Sequence, residues 1–243
     1  MNIINACATY TGDSTNESGL RTLRFEIPST GKNPVTPIFV IPSYAAGDSC
    51  APGYFSEKSN VLISGRLYPN TEDHKMYVIP VSPLQVIKEG IMLNHVHLAG
   101  GVGFIGEQKR EDCFNFGLMC KAPKQKIISH DWDDSLGFKI VSWGDDAKRM
   151  KKFLFVGRSM SLGGTLKFEC WTGKDGSKNS NYKIQVRSFQ YSFFGKRPAP
   201  DVTKSDPPIA SFDKPEIFDS PHQQAIAKSK VDIKDPPDDG IPF

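Results

Sequence analysis

The sequence predicts an all-β chain made of two small barrels in tandem, followed by a disordered tail. Three observations predict it. Apolar runs of four to eight residues, rich in β-branched and aromatic side chains, recur along the chain between clusters of Gly, Pro, Asn and Asp. Ten such runs fall into two series of five, one within residues 1–90 and one within 94–194. Nine of the 18 prolines then crowd into the last 49 residues (195–243), which hold no Trp and no Tyr.

The first series reads as strands at Asn2–Thr9, Leu20–Ile27, Pro37–Ile41, Asn60–Leu67 and Met76–Val86. The second reads as strands at His95–Gly101, Cys113–Met119, Gly137–Trp143, Gly164–Trp171 and Tyr182–Phe194. One helix is expected, over Gly144–Arg158. Its Ala147, Met150, Phe153 and Leu154 recur at helical spacing, and Asp145 and Asp146 suit the positive end of the helix dipole. Five short strands with a helix between the third and fourth describe an OB-fold, a five-stranded Greek-key barrel. The two series also read as a degenerate repeat. Val61–Leu67 is matched with Ser161–Lys167, Ile38–Tyr44 with Phe138–Trp143, and Asn60–Val86 with Ser161–Val186. The junction is placed near Lys88–Leu93.

Residues 195–243 carry too little apolar surface to offset the entropy of ordering, and disorder is expected there. The chain as a whole has a net charge of +3, but this tail holds seven Lys+Arg against nine Asp+Glu, leaving about +5 on residues 1–194. A basic body suggests a polyanionic partner. No apolar run is long enough to span a membrane, and the opening MNIINACATYTGD lacks the charged and apolar regions of a secretory signal. Five cysteines without framework spacing (Cys7, Cys50, Cys113, Cys120, Cys170) read as reduced thiols of a cytoplasmic protein.

The chain ends Asp238-Asp-Gly-Ile-Pro-Phe243. This resembles the acidic tip of bacterial single-stranded DNA-binding proteins. The second series strengthens the resemblance. Asn94-His-Val-His-Leu-Ala-Gly-Gly-Val-Gly103 is similar to that family's opening strand, Lys139-Ile-Val-Ser-Trp-Gly144 to its third strand, and Leu166–Gly176 to its strand four–five hairpin. Two barrels per chain resemble the family's minority that form dimers. Gly137 stands where the family usually has a Trp, and the usual Lys-Gly before strand four is missing. The resemblance implies a protein that coats and protects single-stranded DNA in replication, recombination and repair. It also implies a homodimer, or a tetramer, that recruits partner proteins through its tip, in a nucleoid-associated location.

A sequence-tolerant binder of single strands needs aromatic faces for stacking and cations along the phosphate path. By motif position the stacking candidates are Trp143 and Trp171. Trp132 lies in a polar loop, and Phe138 is a weaker candidate. Tyr44 and Tyr68 are the first-barrel candidates. The cationic candidates are Arg66, Lys121, Lys124, Lys139 and Lys167. In the tip, Asp238 and Asp239 would pair with basic residues of a partner, while Ile241, Pro242 and Phe243 follow Gly240 as its apolar end.

Other motifs lead elsewhere and are set aside. Gly101-Val-Gly-Phe-Ile-Gly106 fits a dinucleotide fingerprint but is followed by a charged loop, where such a fingerprint needs a helix. His95 and His97 share a strand face without other ligands at metal-binding spacing. No pairing of nucleophile and base emerges, so no enzyme and no cofactor are expected. Two rival readings are an OB-fold paralogue acting as a scaffold with weak DNA affinity, and an RNA-binding protein.

Overall fold

The structure, a computed structural model, describes residues 1–15, 19–29, 34–70, 73–108, 110–122, 135–173 and 176–191. The tail and its tip lie outside the described residues. The chain divides into two units, Met1–Pro198 and Ala199–Phe243, and all the described residues belong to the first.

Among the described residues, eleven strands form one continuous sheet that curls into two barrels. The first barrel is built from β1 (Asn2–Thr15), β2 (Arg21–Ile27), β3 (Thr36–Val40), β4 (Asn60–Pro69), β5 (Met76–Pro80) and the short β6 (Gln85–Val86). The second is built from β7 (Asn94–Ile105), β8 (Cys113–Lys121), β9 (Ser135–Trp143), β10 (Ser159–Thr172) and β11 (Lys178–Tyr191). The first closes in the order β1-β2-β3-β5-β4-β1 and the second in the order β7-β8-β9-β11-β10-β7. In each, the third strand meets the fifth in parallel, Val40 beside Val78 and Ile140 beside Ile184. All other pairings are antiparallel. This is the OB order expected of the sequence, found twice. The expected strand Met76–Val86 breaks at Val81 into β5 and β6.

Alternation of the strands fills each barrel. Ile4, Phe25, Ile38, Ile63 and Leu67 are fully buried in the first, and Leu98, Phe116, Leu118, Leu162 and Leu166 in the second. The register shows a matched device in the two barrels. The Asn2 carboxamide donates to the Leu67 carbonyl at 2.6 Å and accepts from the Leu67 amide at 3.1 Å. Asn94 does the same to Leu166, at 2.8 and 2.9 Å. Each asparagine sits two residues before a strand-one residue (Ile4, Val96) that faces a strand-four glycine (Gly65, Gly164). These matches align Leu67 with Leu166, one residue off the expected match of Leu67 with Lys167. Burial decides the register, because a slip of one residue would turn every core side chain to the opposite face. The match of Ile38 with Phe138 holds.

Helix α1 spans Gly144–Phe153, between the third and fourth strands of the second barrel. It ends five residues before the expected Arg158. Leu154 takes extended dihedrals, and the Arg158 guanidinium donates to the Phe153 carbonyl at 2.7 Å. Ala147, Met150 and Leu154 are buried as expected, but Phe153 is exposed beside the Tyr191 ring. The first barrel carries a 3-10 turn at the same place, Tyr44–Cys50, which hydrophobic periodicity does not reveal. Cys7, Cys50, Cys113 and Cys120 are buried, and Cys170 is exposed. Burial pushes the Cys120 thiol up to about 11.

The barrels are joined by an antiparallel pairing of their first strands, from Asn2 beside Leu98 to Ala6 beside Asn94. They also meet where the Tyr182 hydroxyl of β11 donates to the Pro37 carbonyl of β3 at 2.8 Å. Burial raises the Tyr182 pKa above its ordinary value and so keeps that donor protonated.

Asn2→Ala removes both hydrogen bonds to Leu67 and leaves its amide and carbonyl buried without partners. Urea unfolding is expected to show a loss of about 2 kcal/mol or more. Asn94→Ala, at a less buried site, is expected to cost less.

Candidate nucleic-acid interface

In β8, Phe116, Leu118 and Cys120 point into the barrel, so Asn115, Gly117, Met119 and Lys121 point out. Opposite them on β9 stand Val141, Lys139, Gly137 and Ser135, and Trp143 pairs with Cys113 at the strand's end. The outer face of this ladder therefore carries Lys121, Lys139 and Trp143 together. Phe104 of β7 joins them. It lies over Gly117, where an added Cβ would overlap its ring. A glycine inside a strand permits this kind of close approach. Met119 lies beside Gly103 and Gly137 on the same face. Phe104 is 51% exposed and Trp143 41% exposed.

The loop after β7 is fixed to this face. Lys151 of α1 donates to the carbonyls of Arg110 and Glu111, at 2.9 and 2.6 Å. The Arg110 guanidinium forms a two-point ion pair with Asp112, both contacts 3.1 Å, and lies 5.3 Å from the centre of the Trp143 ring. The hydrogen bond from Arg110 holds the Asp112 carboxyl below the usual carboxylate range. The indole is thus oriented by a cation yet remains open to solvent.

The β10–β11 hairpin extends beyond the barrel and carries Trp171, which is 50% exposed. On its strands Lys167 stands directly opposite Lys183. Like charges placed this way disfavour the pairing. Glu169 relieves Lys183 with an ion pair of 2.5 Å. Lys167 has no acidic partner among the described residues, so the excess positive charge there is available to an anion.

The first barrel is furnished differently. Tyr44 opens the 3-10 turn and is fully exposed. Tyr68 is half-buried against the core. Arg66 is exposed on β4 opposite Ile79. The ladder that corresponds to β8–β9 pairs Arg24 with Phe39. Arg24 is tied to Glu26, and Phe39 lies under the Lys75 ammonium and beside the Tyr77 ring. Its cations and its aromatic face are already engaged, so the two barrels offer unequal surfaces.

One expected stacking residue needs correction. Phe138 is only 3% exposed and packs in the second barrel's core; its even position on β9 turns its ring inward, away from the outer face that carries Trp143. Phe104 holds the exposed aromatic place instead. Sequence reasoning passes over Phe104 because it lies in a glycine motif judged against another chemistry. The strand glycine Gly117 is the available signal. Trp132, Lys124 and the tip residues Asp238, Asp239, Gly240, Ile241, Pro242 and Phe243 lie outside the described residues. Among the described residues no group of three or more His, Cys, Asp or Glu could hold a metal ion. No helix among them is long and apolar enough to cross a membrane.

No family model matches the sequence, and no curated protein matches it. Among solved structures, the fold is similar to the wild-type single-stranded DNA-binding protein from Thermus aquaticus, with a TM-score of 0.54 at 12% identity, over 84% of this chain and 98% of that one. A deletion variant of the same protein gives a TM-score of 0.55 at 12% identity, over 82% and 97%. The small single-stranded DNA-binding protein from Streptomyces coelicolor matches 42% of this chain at 17% identity, with a TM-score of 0.32. At these identities the first two likenesses establish the fold shared across both barrels.

Proposed function

We propose that this chain binds single-stranded DNA without strong sequence preference, coating and protecting it in replication, recombination and repair. The observation that carries the reading is the outer face of β7–β9. Phe104 and Trp143 are partly exposed there, Trp143 with Arg110 over its ring, and Lys121 and Lys139 stand beside them with no acidic partner among the described residues. Bases stack on the rings and phosphates follow the lysines. Trp171 and Lys167 on the β10–β11 hairpin extend the path, and Tyr44, Tyr68 and Arg66 offer weaker footing on the first barrel. The fold likeness to the Thermus protein, named for binding single-stranded DNA, supports the same reading.

Three finer parts of the proposal rest on the sequence. The tip Asp238–Phe243 docks on basic pockets of partner proteins, with Phe243 supplying an apolar anchor and the terminal carboxylate. The chain assembles as a homodimer or tetramer. It works in the cytoplasm, associated with the nucleoid.

Titration with poly-dT at low salt is expected to quench the intrinsic tryptophan fluorescence. Trp143→Ala is expected to weaken binding by about fivefold or more, since one stacked base is worth about 1–3 kcal/mol. Absence of quenching in the unaltered chain would refute the proposal. Deletion of Phe243 is expected to abolish pull-down of replication and repair proteins while leaving poly-dT affinity unchanged or slightly raised. Pull-down that survives the deletion contradicts the docking role.

A further inference from the structure

Between the two barrels lies a cleft of about 230 Å³. Its walls come from both halves of the chain. The strand four–five connection of the first barrel supplies Asn70, His74 and Met76, and the second barrel supplies Gly137–Lys139 and residues 180–184 of β11. The space is large enough for one flat heterocycle. We infer that this cleft takes a single base of the bound strand, so that the two barrels hold one continuous strand and do not act as two separate sites. The inference rests on the proposed single-strand binding.

Four observations carry it. The cleft is continuous with the exposed aromatic face, because Gly137 and Lys139 belong to both. Its lining is suited to a base, with apolar Met76, Leu166 and Ile184 beside the amide side chains of Asn70 and Asn181. Lys139 at its edge is exposed and has no acidic partner among the described residues, which places a cation for the phosphate of the inserted nucleotide. The cleft is also held open by fixed parts. Tyr182 in its wall is pinned to Pro37 of the first barrel at 2.8 Å and packs on Phe168 with ring centres 4.8 Å apart. His74 on the facing wall is held at φ 54, in the left-handed region that non-glycine residues seldom occupy. Strain of this kind persists where the surroundings over-determine it, and it concentrates at ligand sites. A cleft lined from two domains is also a common setting for ligands.

The test combines abasic scanning with a filled cleft. In a dT oligonucleotide long enough to span both barrels, each thymidine is replaced in turn by an abasic site. Ser180 is exposed and lines the cleft, so Ser180→Trp places a large ring in it, and Ser180→Leu serves as the smaller fill if the first variant does not fold. The expected result is one internal position whose abasic replacement weakens binding to the unaltered chain by about fivefold or more, and whose cost disappears in the filled variant. Abasic costs that persist unchanged in the filled variant, or no internal position of that kind, overturn the cleft inference while single-strand binding stands. Failure of the unaltered chain to bind the intact oligonucleotide overturns both this inference and the proposed function.

Discussion

The antiparallel pairing of β1 with β7 governs the rest of the architecture. Each barrel closes on its own first strand, and the two first strands then share a ladder from Asn2–Leu98 to Ala6–Asn94. Flanking backbone bonds extend it, from the Ala99 amide to the Met1 carbonyl at 2.7 Å and from the Cys7 amide to the Leu93 carbonyl at 2.8 Å. Two open strand edges, each a row of unpaired donors and acceptors, are thereby satisfied against one another. The pairing also fixes where one barrel stands relative to the next. Tyr182 bonds to Pro37 across the same junction.

The two halves repeat in the devices that close a barrel and differ in what they show to solvent. Gly65 and Gly164 occupy matched positions where an added Cβ would press on the neighbouring fifth strand, 2.5 Å from Val78 in one case and 2.5 Å from the Gln185 carbonyl in the other. The Asn2 and Asn94 clamps lie in the same relation to those glycines. The outer faces diverge. The second barrel leaves Phe104 exposed and Lys121 and Lys139 without an acidic partner among the described residues, whereas the first covers Phe39 with Lys75 and neutralises Arg24 with Glu26. Closure has few solutions, because a buried amide must be paired and a close strand approach admits no side chain. An exposed face is free to change.

The same distinction explains what could be read from the residues alone. Strand alternation and the apolar runs of the third and fifth strands were legible as periodicities, and the face of α1 was legible at Ala147, Met150 and Leu154 but not at Phe153. The repeat was legible in kind but one residue off in β4 and β10, because the match of Val61–Leu67 rested on residue types and not on which of them face inward. The 3-10 turn at Tyr44–Cys50 was not legible, having no periodic apolar face. At the candidate site, motif position singled out Trp143, and Lys121 and Lys139 were named from the basic residues of the second series. Phe138 was misplaced because motif position does not give side-chain direction, and strand parity does: Phe138 and Ile140 turn inward together, and Lys139 turns out. Phe104 was reachable only through Gly117, whose missing side chain is the space the ring occupies.

Binding of a phosphate chain to the aromatic and cationic face of the second barrel, as proposed, is an electrostatic association. The salt dependence of affinity for oligo-dT tests it most directly, because counterion release separates phosphate binding from other association. Log Kobs is expected to fall linearly with log[NaCl], with a slope of about −3 if Arg66, Lys121, Lys139 and Lys167 each neutralise one phosphate. An affinity that does not change with salt would contradict it.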